Sequence, residues 1–258
     1  MIIEKNGLQY FVFENLTQAG LRHCFTTRLG GVSERVFSSL NLGFHNGDCP
    51  NAVAKNLRRI CDAVGFDVRS IVMAKQVHET TVSVASEKTD DINCDGLITN
   101  ESGITLATYY ADCVPILLFD PIKRVIANAH AGWRGCAKNM AQAAVSAMQS
   151  RYGCNPADVL AGIGPSISAK NFEVDAEVAH NFKKNLPFCD NFIYNSKVAE
   201  NKFHIDLWGI CRQSLILAGL CLKNIEIAGL CTFDLPKLFY SHRRDGMPRG
   251  NMMAMIGL

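Results

Sequence analysis

Apolar and polar positions switch between a two-residue and a helical period along this chain, and the densest apolar stretch lies near its middle. Val114–Phe119 is a continuous apolar run of strand length, the pattern of a strand buried on both faces. Asp120-Pro121 marks a turn, and Arg124–Ala129 returns as a second strand. Antiparallel pairing of the two sets the start of the first beside the end of the second. Upstream, residues 8–13 and 23–27 read as strands. Residues 51–64 read as a helix, because Val53, Leu57, Ile60, Cys61 and Val64 recur at three- and four-residue steps. Strand signals continue at 71–74, 80–85, 95–99 and 104–109.

Downstream, the pattern predicts a helix from about 136 to 152, a strand at 159–163 and a helix at 175–184. An irregular excursion covers 188–201. A long amphipathic helix opens at 203–207 and runs to about 218, followed by a strand at 225–230. A polar loop over 231–246 and a short strand at 252–256 close the chain. Strands alternate with helices, yet several neighbouring strands are joined too tightly for crossover connections. The expectation is one α/β domain over residues 1–258 with mixed sheets, not a doubly wound parallel sheet.

Composition narrows the class. At 258 residues, 48% apolar and 19% charged, the chain is ordinary for a soluble globular protein with ample core. A net charge of +2 without strong clustering leaves no footprint for nucleic acid. The longest apolar run outside strands, Leu215–Leu222, is far too short to span a membrane. The start carries Glu4 and lacks the basic-then-apolar order of an export signal, so a cytoplasmic location is expected. None of the eleven cysteines forms a CxxC pair, which excludes a zinc ribbon or a thioredoxin-type motif. Most read as small buried hydrophobes in a reducing compartment. Nothing in the sequence requires an oligomer.

Three reactive side chains stand at predicted strand ends: His78, Cys113 and His130. Two imidazoles and a thiolate make a three-ligand zinc site with an open fourth position, and the same donors suit copper. The same atoms also make a Cys–His nucleophile pair, with Cys113 attacking and His130 as base. A metal-bound thiolate is a poor nucleophile, so these two readings compete. Arg28, Arg134, Arg243 and Arg244 sit in glycine-bearing loops. Their guanidinium forks, with a helix start at Gly135, predict an anion site of the phosphate class. Trp133 has the ring to stack on a flat partner, although a large aromatic beside a turn more often serves packing. Gly162–Ser166 lacks the Lys-Ser/Thr that completes a phosphate loop.

Several blocks carry a family resemblance. Gln76-Val-His78, Ala111-Asp-Cys-Val-Pro115, His130-Ala-Gly-Trp-Arg-Gly135, Gly162-Ile-Gly-Pro-Ser166 and Tyr240-Ser-His-Arg-Arg-Asp245 resemble, in order, motifs of the YfiH-like laccase-domain family. Arg28-Leu-Gly-Gly-Val-Ser33 and Ser39-Leu-Asn-Leu-Gly43 match its amino-terminal motifs, so the resemblance covers nearly the whole chain. It implies an α/β/β/α sandwich related to the catalytic domain of cytotoxic necrotizing factor. It also implies that His78, Cys113 and His130 are both metal ligands and catalytic residues, with zinc as the ion and copper as the alternative.

The activity the resemblance implies is purine nucleoside phosphorolysis with adenosine deamination. Adenosine, inosine or S-methyl-5′-thioadenosine would react with phosphate to give base and ribose 1-phosphate. Arg28, Ser39, Asn41, Arg134 and Arg243 are carried over as the residues that hold nucleoside and phosphate. Rival readings are a copper polyphenol oxidase and a cysteine or metal hydrolase of the peptidoglycan-editing amidase type. Against the oxidase, the seven histidines include no His-x-His pair. One segment departs from the family pattern: Gly246-Met-Pro-Arg-Gly250 stands where many members carry Thr-Gly-Arg, leaving Arg249 as its only arginine.

Overall fold

The central apolar pair forms as its pattern dictates, and the rest of the chain is layered around it. The computed structural model describes residues 1–86 and 92–258. In chain order the first strands are β1 Ile2–Lys5, β2 Leu8–Phe11, β3 Arg22–Thr26, β4 Ile71–Lys75, β5 Val82–Val84, β6 Ile92–Asn93, β7 Gly96–Thr99 and β8 Thr105–Tyr110. The others are β9 Val114–Asp120, β10 Val125–Ala131, β11 Leu160–Ile163, β12 Glu173–Asp175, β13 Ile193–Asn195, β14 Lys202–Ile205, β15 Ile225–Ile227 and β16 Met252–Gly257. The helices are α1 Glu14–Gln18, α2 Pro50–Val64, α3 Trp133–Ala137, α4 Met140–Tyr152, α5 Ala176–Asn185, α6 Leu207–Leu217 and α7 His242–Asp245.

One sheet has seven strands in the order β1-β2-β3-β16-β8-β4-β6, and a second has six in the order β15-β11-β9-β10-β7-β5. Both are mixed: β4 runs parallel to β8 and β6 in the first, and β5 to β7 and β11 to β15 in the second, while the other pairings are antiparallel. The sheets stack face to face. Phe11, Phe25, Leu106 and Ile256 of the first meet Leu117, Phe119 and Ile126 of the second in one buried cluster.

The opposite face of each sheet is covered by helix. Leu57, Ile60 and Cys61 of α2 pack on Cys24, Ala107 and Met253 of the first sheet. Ala144 and Met148 of α4 and Ile210 and Leu215 of α6 pack on Ile116, Leu118 and Ala127 of the second. Successive strand residues point to opposite faces. Strand β9 therefore sends Leu117 and Phe119 to the inter-sheet core and Ile116 and Leu118 to the helices, which is why its sequence is unbroken by polar residues. The result is the expected α/β/β/α sandwich with mixed sheets. A small sheet, β12-β14-β13, stands beside it.

The structure differs from the sequence pattern in identifiable places. The predicted 136–152 helix is broken at Asn139, whose φ of 63° is left-handed and whose side chain caps α4. The helical entry begins at Trp133, so Gly135 lies inside the single turn of α3 and is not a helix start. Residues 203–205 are not the first turn of a long helix. They belong to β14, where Phe203 pairs with Val174 and Asn195, and Asp206 then caps α6 by accepting from the Gly209 N–H at 3.0 Å. The predicted 225–230 strand ends at Ile227. Edge strand β1 went unpredicted because its residues are mostly exposed and show no apolar alternation. All eleven cysteines are free, and most are buried. Among the described residues no helix is long and apolar enough to cross a membrane.

One buried histidine links fold stability to pH. The Nε2 atom of His23 accepts the Phe13 N–H at 2.8 Å, and its Nδ1 faces the Leu21 carbonyl at 3.0 Å. A neutral ring protonated on Nδ1 satisfies both. Burial is the main cause holding the His23 pKa below its ordinary value, with the Leu21 carbonyl opposing. The neutral form is favoured in the fold. Its stabilisation is therefore complete above the unfolded value, about 6.5, and is lost as pH falls through the lower folded value. Urea unfolding should show a midpoint that drops on acidification from neutral pH, and a smaller drop in His23→Gln. Equal drops in the two proteins would clear His23 of that role.

Candidate metal centre

The chain segments that meet at one end of the two sheets carry His78, Cys113 and His130. His78 follows β4 in the first sheet, Cys113 lies in the turn between β8 and β9, and His130 is near the end of β10. In the β9–β10 pair Val114 faces Ala131 and Pro115 faces His130, so the thiol and the imidazole are neighbours, as the strand pattern requires. One candidate ligand atom from each of the three residues lies within 4.8 Å of the others, a spread that one small ion can bridge. It is the one such cluster among the described residues. The two imidazole rings stand at 90° with centroids 5.0 Å apart. His130 is buried, Cys113 half-buried and His78 exposed, so the cluster opens on one side.

Asp95 organises the two histidines, and sequence reading had not singled it out. Its fully buried carboxylate accepts the backbone N–H groups of Val77 (3.2 Å), His78 (3.0 Å) and Glu79 (2.8 Å). It also accepts from His130 Nδ1 at 2.8 Å, and the Asp95 carbonyl takes the His130 backbone N–H at 2.7 Å. Burial alone would raise the Asp95 carboxyl pKa. The bonds from His130, Glu79 and Val77 outweigh burial and hold it below its usual value. An ionised Asp95 fixes the proton on His130 Nδ1 and leaves Nε2 free, the carboxylate–histidine arrangement that orients metal ligands. The same carboxylate holds the 77–79 turn, in which His78 adopts a φ of 62°.

Gly132 completes the cradle. A Cβ there would lie 3.0 Å from His78 Cδ2 and 3.3 Å from Cys113 Sγ. Gly132→Ala should push the donors apart at a cost of about 1–3 kcal/mol, or roughly ten- to hundredfold in metal affinity. Competition against a chromophoric chelator measures this directly, and an unchanged affinity would mean that the cradle is slack.

Electrostatics argue against a ready-made thiolate–imidazolium nucleophile pair. Burial, reinforced by Asp112, pushes the Cys113 thiol up to about 12, with Arg249 opposing. Burial also lowers the His130 pKa. A thiolate–imidazolium pair needs both shifts in the other direction. A neutral imidazole is ready to ligate, and a cation is what would draw the proton from Cys113.

Two clefts, of about 600 and 580 Å³, open on the cluster and share His78, Cys113 and Arg249. Phe44, His45, Lys75, Gln76 and Tyr109 line the first. Trp133, Phe172, Leu207, His242 and Arg243 line the second. Arg243 lies over the Phe172 ring at 5.4 Å and donates to the Glu173 carbonyl at 2.8 Å. Arg134 is exposed and lies over the Trp133 ring at 4.3 Å.

The amino-terminal candidates are engaged with their own chain. Arg28 donates twice to the Ser38 carbonyl and lies 4.4 Å over the Tyr240 ring. Ser39 Oγ accepts the Gly31 N–H and donates to the Arg28 carbonyl. Asn41 is fully buried, its amide bonded to Asp48, Gly43 and Asn251. Arg244 is likewise structural, donating to the carbonyls of Thr232, Phe233 and Phe239. Arg249 is the cation that sequence reading left without a role, and it lines both clefts.

Known proteins share this architecture across the chain. A purine nucleoside phosphorylase, YlmD, from Bacillus subtilis (strain 168) is 38% identical over 244 residues, covering 91% of this chain and 87% of that protein. The crystal structure of YfiH from Bacillus licheniformis superposes with a TM-score of 0.91 at 34% identity, covering 100% of this chain and 98% of that one. YlmD from Geobacillus stearothermophilus gives 0.92 at 32% identity, covering 99% and 97%. The family model described as multi-copper polyphenol oxidoreductase laccase matches residues 22–258. The chain therefore belongs to this laccase-domain family, the one its sequence motifs resemble.

Proposed function

We propose that this protein is a zinc-dependent, cytoplasmic purine nucleoside phosphorylase with adenosine deaminase activity, working as one domain over residues 1–258. The observation that carries the reading is a His-Cys-His cluster in the shared lining of two cation-bearing clefts, in a chain whose relatives bear the phosphorylase name. In phosphorolysis a phosphate oxygen bonds to C1′ of the ribose while the C1′–N9 bond breaks, and the purine leaves with the electron pair and gains a proton. Inosine, adenosine and S-methyl-5′-thioadenosine all present that bond. The two clefts meet at the cluster and are lined beyond it by different residues, which offers nucleoside and phosphate distinct places to bind beside it. Arg243 and Arg249 offer guanidinium groups to phosphate oxygens, and Phe44 and Tyr109 offer ring faces to the base. Arg134 serves at the rim beside Trp133. Arg28, Ser39 and Asn41 act from behind by holding the 28–43 loop.

The donor set fits zinc. Three N and S ligands with one open face and a carboxylate that orients one of the imidazoles are what such a site needs, and Gly132 leaves the donors room to close on an ion. When bound there, zinc supplies a Lewis acid that activates water at neutral pH, the chemistry adenosine deamination requires. Copper suits the same donors as a single ion. A multicopper oxidase needs further ligand groups, and the described residues hold one cluster.

With adenosine and phosphate supplied, purified protein should yield adenine with ribose 1-phosphate, and inosine in parallel. Omitting phosphate should stop adenine release and spare deamination. Adenine release undiminished without phosphate would replace the phosphorylase reading with a hydrolase, and cleavage of a cell-wall peptide in place of any nucleoside would favour an amidase. Arg243→Ala should raise KM for phosphate about tenfold with metal content unchanged, and Arg243→Lys should restore little of it, lacking the planar fork.

A further inference from the structure

Asp112 is a buried carboxylate that the proposed chemistry leaves without a task. It immediately precedes Cys113 and adopts a φ of 86°, a backbone conformation that side-chain-bearing residues rarely take. Its Oδ1 accepts from the Thr232 hydroxyl at 2.6 Å. Its Oδ2 accepts from the Ser241 hydroxyl at 2.9 Å and from the Arg243 backbone N–H at 2.7 Å. Both oxygens are thus committed to segments more than a hundred residues away along the chain. Arg244 fastens the far side of the same segment through the carbonyls of Thr232, Phe233 and Phe239. Held between them, α7 places His242 and Arg243 in the wall of the second cleft, where Arg249 also stands.

We propose that Asp112 is a positioning residue that locks the cationic α7 segment to the thiol-bearing turn, so that an anionic co-substrate, phosphate, is received at a fixed distance from the cluster. The inference rests on the phosphorylase reading. Lock and ligand share one turn of backbone, so displacement of α7 moves the cations relative to Cys113. Two substitutions separate this role from local conformation. Asp112→Gly suits the left-handed backbone better than aspartate does but removes the lock. Asp112→Asn keeps the shape and removes the charge that three donors share.

The test combines hydrogen exchange of the 241–245 amides with steady-state inosine phosphorolysis on metal-loaded protein. Both variants should retain metal and show faster exchange at 241–245. KM for phosphate should rise about tenfold or more, the scale of a small misplacement, while KM for inosine stays near the wild-type value. Unchanged exchange, equal shifts in the two KM values, or a wild-type phosphate KM in Asp112→Gly would each overturn the proposal. If Asp112→Gly fails to fold, Asp112→Asn carries the same three readouts. Wild-type protein without phosphate-dependent turnover would remove the phosphorylase reading, and the phosphate role with it. Wild-type turnover with unaltered variants would remove the lock alone.

Discussion

Cys113→Ala is expected to lose its metal and its turnover while the chain still folds. The three apolar layers that flank and separate the sheets are built from other residues, with Cys113 only packed against the middle one, and the ligands come from three separate segments. Metal should therefore serve chemistry more than folding. Replacing a half-buried thiol should cost about 1 kcal/mol of stability. Losing the ion removes several kcal/mol of transition-state stabilisation, so turnover should fall by about a thousandfold or more. His78→Ala should behave in the same way. His130→Ala should in addition destabilise the fold, because it strips the ring partner from the buried Asp95 carboxylate. Elemental analysis of each purified variant decides the matter. Full occupancy in any one of them would take that residue out of the ligand set.

Asp95→Ala should do the most damage of any change outside the three ligands. Three backbone N–H groups and the His130 ring lose one shared acceptor in a fully buried place. At about 1–3 kcal/mol for each donor left bare, the loss should reach roughly 3 kcal/mol or more. For a chain of this length that lowers Tm by about 10 °C. Metal affinity should fall about ten- to hundredfold even where the protein stays folded, because His130 is no longer oriented and the 77–79 turn is no longer pinned. Thermal melts and chelator competition read the two effects separately. A variant that melts with the wild type and binds metal as tightly would show that Asp95 is a bystander.

The parts of this molecule that follow a local period were legible in its sequence. The unbroken apolar run of β9 and the answering strand β10 carry their own pairing, and that pairing sets Cys113 beside His130. Asp95 was not legible. Its partners are 16 to 35 residues away, and only the register of β10 against β7, with Ala129 opposite Gly96, brings it under the imidazole. The helix break at Asn139 and the strand at 202–205 were hidden by apolar residues that satisfy either period over a few positions. Arginines in loops announce positive charge but not its direction. Arg28 and Arg244 spend theirs on backbone carbonyls, whereas Arg249, inside the segment that departs from the family pattern, donates to the Gly250 carbonyl and still lines both clefts. Asp112 could be read as a neighbour of the thiol, but its grip on Thr232, Ser241 and Arg243 depends on tertiary contacts alone.

Phosphorus NMR of metal-loaded wild-type protein with inosine and inorganic phosphate puts the proposed activity to its most direct trial, since inosine leaves no amine to remove. A ribose 1-phosphate signal should grow as inorganic phosphate declines, one for one with hypoxanthine released, and both changes should be absent from Cys113→Ala. Hypoxanthine released with the phosphate signal untouched, or inosine left intact by fully loaded protein, would contradict a phosphorylase built on this cluster.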